Sequence, residues 1–308
     1  MMLLLGSSLL AQQSPSKEDD LPVFKTGVTL VKVDVQVTAR DGKTISDLTQ
    51  DDFAVFDENE PQTVAYFGSE REPLDLLLLL DVSGSMRRSL EDLAAGTRAA
   101  LAQLHPGDRV ALMLFSRRTG IVQPFTDELS NTQRKILDSI YKADLGNGTL
   151  INESLIAAAD YMKQQPVKGR RAILVVTDNE GLNYKSPDES VVRSLYSAET
   201  VLSALVVRKG SRPAAVKRTG YTNPDFDPPD VFKISERTGG EAVEGLGKVN
   251  EMFQKMVERA RTRYFLQYPA PQAEPGKFRR VRIELTPAAK RKYPDATVRA
   301  RAGYYANP

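Results

Sequence analysis

The stretch LDLLLLLDVSGS, residues 74–85, indicates the fold of this chain. Its first seven residues are apolar apart from Asp75, and a run of that length is typical of a strand covered on both faces, as in parallel sheets. Polar side chains follow at once, at Asp81, Ser83 and Ser85. A buried strand with such an end is typical of an α/β protein whose ligands bind at the carboxyl ends of its strands.

Strands and helices alternate downstream of this stretch. Apolar runs predict further strands at residues 109–116, 121–125, 172–177, 201–207 and 241–244. Helical spacing of apolar residues predicts helices at 90–104, 130–142, 151–164, 187–199, 231–238 and 247–262. Such alternation implies right-handed crossovers and a doubly wound, mostly parallel sheet of the Rossmann-like α/β class. Residues 209–230 contain four prolines and lack periodicity, which predicts a long surface loop.

Both flanks of this α/β region show the apolar–polar alternation of half-buried strands. The predicted strands lie at residues 31–37, 54–57, 63–67, 264–268, 281–285 and 298–304. Neither group has a large core of its own, and small β units are marginally stable. We therefore predict that segments 23–71 and 263–308 pair into one β-sandwich, into which the α/β domain of residues 72–262 is inserted.

The composition excludes several classes of function. The chain has no cysteine, which removes disulfides, thiolate metal sites and a cysteine nucleophile. Its single histidine, His105, precedes Pro106 in a predicted turn. Ser–His catalysis and histidine-rich metal sites are therefore disfavoured. The net charge of +2 requires no nucleic-acid or membrane partner. The basic residues between 277 and 301 alternate with apolar ones, which favours the outer face of a sheet over a nucleic-acid surface.

The first residues, MMLLLGSSLLAQ, resemble the later part of a secretory signal with cleavage after Ala11. The basic start of such a signal is missing, which leaves open a misassigned start codon or a segment that is not a signal. Polar residues up to position 22 are predicted to form a flexible leader. The expected location is therefore secreted or periplasmic. No later apolar stretch approaches the ~20 residues needed to span a bilayer.

Three predicted strand ends carry oxygen-bearing side chains. They are the D-x-S-x-S sequence of residues 81–85, the pair Gly148-Thr149 before a predicted helix, and Asp178 directly after the strand at 172–177. Because ligands of open α/β sheets bind at these ends, the side chains are predicted to converge. Two carboxylates and three hydroxyls form an all-oxygen site, which selects Mg²⁺, Mn²⁺ or Ca²⁺ over softer metals. Gly84 is expected to allow the sharp backbone turn. The candidate ligands are Asp81, Ser83, Ser85, Thr149 and Asp178.

These three elements resemble the metal ion-dependent adhesion site of the von Willebrand factor type A family, over about residues 72–262. The resemblance implies that Mg²⁺, or Mn²⁺ or Ca²⁺, is bound by the hydroxyls of Ser83, Ser85 and Thr149. It implies further that Asp81 and Asp178 hold the cation directly or through water. An aspartate or glutamate of a partner protein would complete the coordination.

The sequence departs from the family pattern in two places. The third motif is Thr-Asp-Asn-Glu-Gly at residues 177–181 where relatives often have Thr-Asp-Gly, and the second is Gly-Asn-Gly-Thr at 146–149. Neither change removes a ligand, but both put the loop shape in doubt. The outer segments, with LTQDDFAVF at 48–56 and RAGY at 301–304, resemble a bacterial subgroup named for its abundance in Acidobacteria.

The resemblance favours a metal-dependent protein-binding module over an enzyme. Each motif alone has a simpler interpretation, because Asp81, Ser83 and Thr149 could cap helices and Asp178 could belong to a turn. The three together favour the metal site. A metal-free scaffold with the same fold is the alternative. A metal-dependent hydrolase is less favoured, since Glu180 is its only candidate general base.

Overall fold

The computed structural model describes residues 29–69, 72–129, 148–181, 186–207 and 229–306, together with positions 134, 135 and 138. The predicted helix at 130–142 and the predicted loop at 209–230 lie almost wholly outside these residues. The signal-like segment and leader at 1–22 lie outside them as well. None of the helices within the described ranges is long and apolar enough to cross a membrane.

The central sheet contains the strands that the apolar runs predict. They are β5 (Leu74–Asp81), β6 (Arg109–Phe115), β7 (Thr119–Thr126), β8 (Arg170–Thr177), β9 (Val201–Val206) and β10 (Ala242–Glu244). Their order is β10-β9-β8-β5-β6-β7. All neighbours are parallel except β6 and β7, which are antiparallel. The predicted doubly wound, mostly parallel α/β fold is confirmed.

Helices cover both faces of this sheet. They are α1 (Arg87–Leu101), α2 (Ile151–Gln164), α3 (Asp188–Ser197), α4 (Val231–Thr238) and α5 (Val249–Arg261). Every residue of β5 is buried. Leu76 and Leu78 pack with α1 and α5 on one face, whereas Leu77 and Leu79 pack with α2, α3 and α4 on the other. The continuous leucine run therefore supplies two separate cores, because successive side chains of a strand point to opposite faces.

The two flanking segments form a β-sandwich. Its strands are β1 (Leu30–Thr38), β2 (Phe53–Asp57), β3 (Glu60–Gln62), β4 (Tyr66–Gly68), β11 (Tyr264–Pro269), β12 (Phe278–Leu285), β13 (Thr297–Ala300) and β14 (Gly303–Tyr305). One sheet has the order β13-β1-β11-β4, and the other β14-β12-β2-β3. Each sheet combines strands from both ends of the chain, and the two share one apolar core. The predicted pairing of the outer segments is confirmed.

Three details of the flanking segments differ from prediction. The single strand predicted at 298–304 is wrong, since β13 and β14 belong to different sheets. The chain changes sheet at Ala302, whose N–H donates to the carbonyl of Arg237 in α4. The strand predicted at 63–67 is replaced by β3 and β4 on either side of a short gap. A short helix, α6 (Pro287–Lys292), was not predicted, although its proline lies at the first turn, where proline is favoured.

Buried arginines join the sandwich to the α/β domain. Arg170 at the start of β8 donates to the carbonyls of Ala260 (3.0 Å) and Arg261 (2.6 Å) at the end of α5. Its guanidinium also lies 3.6 Å from the carboxylate of Asp34 in β1. Burial raises the pKa of Asp34, while the charges of Arg170 and Arg263 act to lower it. One side chain therefore connects a strand of the sheet, the last helix of the α/β domain and the sandwich.

We expect Arg170→Ala to lower the free energy of unfolding by about 3–5 kcal/mol, because it removes the nearer of the two guanidinium partners of buried Asp34 and the donor to two helix-end carbonyls. Urea denaturation followed by circular dichroism measures the change. Arg280→Ala is the matched control, since Arg280 is 71% exposed and its ion pair should contribute less than about 1 kcal/mol. An equal, small loss in both variants would contradict a joining role for Arg170.

Candidate metal centre

The strands β5, β6 and β8 end at the same edge of the sheet. Asp81 at the end of β5 lies opposite Phe115 at the end of β6, and Leu80 lies opposite Val176 in β8. The N–H of Val82 then donates to the carbonyl of Phe115 (2.8 Å), which holds the next loop against β6. Asp81 with the loop after β5, and the loop after β8, carry four of the predicted ligands, whereas Thr149 lies directly before α2.

The first loop brings three of the predicted ligands together. The carboxylate of Asp81 is fully buried, and its Oδ1 accepts a hydrogen bond from the N–H of Ser83 (2.9 Å). The hydroxyl oxygens of Ser83 and Ser85 lie 3.3 Å apart. The backbone then closes a turn in which the N–H of Met86 donates to the carbonyl of Ser83 (3.0 Å). Asp81, Ser83 and Ser85 thus form one compact oxygen cluster.

The expectation that Gly84 makes this turn possible is wrong. Gly84 is absent from the residues with a left-handed φ, and a Cβ added to it would meet nothing within 4 Å. Residues 84–86 form a single 3₁₀ turn, whose backbone any L-residue can adopt. The backbone conformation of this loop therefore does not require a glycine at position 84.

Asp178 lies beside this cluster, at the end of β8. It is 3% exposed, and its Oδ1 accepts a hydrogen bond from the N–H of Glu180 (3.0 Å). The preceding Thr177 donates its hydroxyl to Oδ2 of Asp81 (2.8 Å) and accepts from the N–H of Asn179 (3.1 Å). Thr177 was not predicted as a site residue. Its position directly before the strand-end aspartate is the sequence signal that could have indicated it.

The departure from the family pattern after Asp178 is compatible with a tight turn. Asn179 has φ of 58°, in the left-handed region that glycine adopts freely. Asparagine is among the residues most often found there after glycine. An asparagine therefore replaces the glycine that relatives often have, while the loop still turns sharply.

The segment that carries Thr149 packs against the same edge. The N–H of Leu150 donates to the carbonyl of Ser116, directly after β6 (2.9 Å). The carbonyl of Thr149 lies 3.1 Å from where a Cβ on Gly181 would be, so the segment packs tightly against Gly181. Thr149 therefore lies between the end of β6 and the loop after β8. Positions 146 and 147 of its motif lie outside the described residues.

The electrostatics of the cluster favour a cation. Burial raises the pKa of Asp81 to about 6, and the neighbouring charge of Asp178 contributes in the same direction. Hydrogen bonds from Ser83 and Thr177 act to lower this pKa. Among the described residues, no group of three His, Cys, Asp or Glu side chains converges as a metal site. The cluster and Asp178 together offer two carboxylates, and the remaining donors are hydroxyls, so the donor set fits a hard divalent cation bound partly through hydroxyl oxygens.

The fold and this edge define a doubly wound α/β protein with an oxygen-rich cluster at the carboxyl ends of its strands. The family model of the von Willebrand factor type A domain matches residues 76–181. These residues therefore belong to a von Willebrand factor type A domain. Domains of this family are interaction or scaffold modules.

Three proteins of known sequence or structure are similar to this chain at low sequence identity. An uncharacterized protein of Borreliella burgdorferi is 27% identical over 190 residues, which are 54% of this chain and 52% of that protein. The match thus spans about half the length of this curated relative. A von Willebrand factor type A structure from Catenulispora acidiphila is 11% identical, with a TM-score of 0.46 and coverage of 92% of this chain and 76% of that one. An aerotolerance-related membrane protein from Bacteroides fragilis is 17% identical, with a TM-score of 0.47 and coverage of 61% and 98%.

The raised pKa of Asp81 predicts how stability depends on pH in the absence of divalent cations. The folded protein binds a proton at Asp81 more tightly than the unfolded chain does, with a pKa of about 6 against 3.8. This contribution to stability is fully present below pH 3.8 and is lost as the pH rises through 6. We expect it to be at most about 3 kcal/mol, since one pKa unit corresponds to ~1.4 kcal/mol.

Asp81→Asn should remove this part of the pH dependence, because the amide carries no charge and can still pair with Ser83 and Thr177. Urea denaturation between pH 4 and pH 7 in metal-free buffer measures it. Asp92→Asn, at an exposed position of α1, is the matched control and should keep the wild-type profile. If Asp81→Asn had the same pH profile as the wild type, Asp81 would not be the titrating group.

Proposed function

We propose that this chain is a protein-binding module that depends on a divalent cation, held by Asp81, Ser83, Ser85, Thr149 and Asp178. The observation that supports it most is the oxygen cluster at the end of β5. Two hydroxyl oxygens lie 3.3 Å apart next to a buried carboxylate, whose raised pKa reflects burial and the nearby charge of Asp178. A buried pair of carboxylates without a compensating cation is costly, and a dication would offset that cost.

The cation we propose is Mg²⁺, with Mn²⁺ or Ca²⁺ as alternatives, because carboxylate and hydroxyl oxygens are hard ligands. When bound, such an ion would supply a coordination position for a carboxylate of the partner. Two aspartates would balance the charge of a divalent cation without exceeding it. A third carboxylate, from the partner, would therefore not be repelled by a net negative charge. The protein's own part is to hold the two serine hydroxyls together and to keep Asp81 fixed through Ser83 and Thr177.

The charges around the cluster support an acidic partner. Exposed arginines follow the two strand ends, with Arg87 and Arg88 directly after the first loop and Arg117 and Arg118 directly after β6. Basic groups around a binding site attract acidic surfaces and speed their association. We propose that the partner is a protein that presents an aspartate or glutamate from an acidic surface. The signal-like segment at 1–11 supports the proposal that this interaction takes place in the periplasm or outside the cell.

A metal-free scaffold is the second candidate. The hydrogen bonds of Asp81 with Ser83 and Thr177, and the contact between Ser83 and Ser85, give the first loop internal partners without a cation. A scaffold would use another surface of the same fold. The two functions can be distinguished by measurement. Only the cation-dependent module requires the cation for partner binding and gains stability from it at this edge of the sheet.

Mg²⁺ should raise the melting temperature of the wild-type protein, because a ligand that binds only the folded state stabilises it by about 2.7 kcal/mol at 100 times its Kd. Ser85→Ala should abolish this shift while leaving the far-UV circular dichroism unchanged, since Ser85 makes its contact within the exposed loop. Ser89→Ala, four residues further along in α1, is the matched control and should keep the shift. Equal shifts in both variants would argue for binding of the cation elsewhere.

Partner binding should require the same cluster. We expect a protein of the source organism to be retained by the immobilised wild-type chain in Mg²⁺, and to be released by EDTA. Asp178→Asn should fail to retain it, whereas Asp160→Asn, at an exposed position of α2, should behave as the wild type. Retention that persists in EDTA would rule out the cation-dependent mechanism and favour the scaffold.

A further inference from the structure

A cleft of about 780 Å³ lies between the β-sandwich and the α/β domain. Its wall includes Arg171 near the start of β8, whereas Asp178 of the candidate metal centre follows the end of the same strand. The remaining wall comes mainly from the end of α2, from α3, from the start of β1, from residues 270–273 after β11 and from the last residues of β14. The cleft is therefore at the opposite edge of the central sheet from the oxygen cluster, and its volume is within the range of small-molecule sites, roughly 300–1,000 Å³.

The cleft contains an excess of positive charge. It is lined by five basic residues, namely Lys32, Lys163, Arg171, Arg193 and Arg301, and by one acidic residue, Glu199. Lys32 and Glu199 pair with each other at 2.8 Å. Within the described part of the chain, the other four cations have no carboxylate at ion-pair distance.

Two of these cations form the floor of the cleft. Arg171 is 5% exposed and donates to the carbonyls of Gln165 (2.6 Å) and Ala198 (3.2 Å), while its buried Nε has no hydrogen-bond partner among the described residues. Arg301 donates to the carbonyls of Gly303 (2.7 Å) and Lys32 (3.3 Å). Burial lowers the pKa of both guanidinium groups. The charge of Glu199 acts in the opposite direction on both groups. Because Glu199 already pairs with Lys32 and the carbonyls are neutral, an anion in the cleft would further offset the cost of burying these charges.

The other two cations are at the mouth. Lys163 and Arg193 are exposed, and Lys163 donates to the hydroxyl of Ser197 (2.9 Å). The guanidinium of Arg193 lies over the ring of Tyr305, 4.0 Å from its centroid. Stacking on aromatic rings fixes the plane of a guanidinium group, and a fixed planar donor pair suits the oxygens of phosphates and carboxylates.

We propose that this cleft binds a small molecule with two or more anionic groups, either phosphates or carboxylates. Arg171 and Arg301 would face one anionic group at the floor, and Lys163 and Arg193 another at the mouth. The combination of Arg171, a buried guanidinium group with no carboxylate at ion-pair distance, with half-buried Arg301 and two exposed cations in one cleft carries the proposal. It is independent of the cation-dependent function proposed above, because the two sites share no residue.

Isothermal titration calorimetry of the full chain tests this proposal, with pyrophosphate and citrate as probes in buffer freed of divalent metals by a chelating resin. EDTA is avoided, since it is itself a polyanion. We expect saturable binding of at least one probe with one site per chain. The double variant Lys163→Gln/Arg193→Gln should weaken binding by about tenfold or more, because charge-assisted hydrogen bonds to both groups are lost.

The double variant Lys248→Gln/Lys255→Gln is the matched control, since it removes the same charge from exposed positions outside the cleft. It should retain wild-type affinity, as should Ser85→Ala at the candidate metal centre. The stronger probe then identifies the anionic class. Equal weakening in both double variants would show general attraction of anions by the surface and would overturn the proposal, as would the absence of saturable binding of either probe.

Discussion

Burial of β5 on both faces is the constraint on which the rest of the structure depends. Its leucines contribute alternately to two cores, and its neighbours β6 and β8 pair with it in register along almost its whole length. A slip by one residue would exchange every side chain between the two cores, so the register is strongly specified. Since Asp81 is the last residue of this strand, its position relative to Phe115 and Thr177 is fixed by the packing of the leucines before it.

This same burial creates the electrostatic problem at the edge of the sheet. Asp81 is fully buried next to the charge of Asp178, and the hydrogen bonds from Ser83 and Thr177 only partly oppose the resulting rise of its pKa. A cation would stabilise both carboxylates, but it would also replace the contact between the Ser83 and Ser85 hydroxyls. The affinity for the cation would therefore depend on the difference in free energy between the loop with its serine hydroxyls bound to the cation and the loop with those hydroxyls in contact with each other. Replacing a serine by alanine would remove a ligand of the cation, and this matters only if the protein binds one. Such a variant therefore distinguishes the cation-dependent module from the metal-free scaffold.

The sequence predicts what depends on regular patterns. The leucine run predicts β5 and its central place, and apolar alternation predicts that the two outer segments pair. The break between β13 and β14 could not be predicted, because it depends on a contact of Ala302 with α4 that is distant in sequence. The prediction that Gly84 is needed for the turn was wrong, because the presence of a glycine does not show that its φ angle is one that only glycine adopts freely. Thr177 was missed since its hydroxyl acts on Asp81 across two neighbouring strands.

The strand β8 has basic residues at its start and an acidic residue directly after its end. Arg170 and Arg171 lie at its start, and Thr177 and Asp178 lie at its end. At a rise of ~3.3 Å per residue, Arg171 and Asp178 are about 23 Å apart. Both side chains are buried, so salt screens them little. At an effective dielectric constant of about 20, however, two unit charges at this distance interact by only about 0.7 kcal/mol, so the charge of one site has little direct effect on the other. A cation at the carboxyl edge and an anion in the cleft would therefore bind independently unless β8 itself moved, and every residue of that strand is buried.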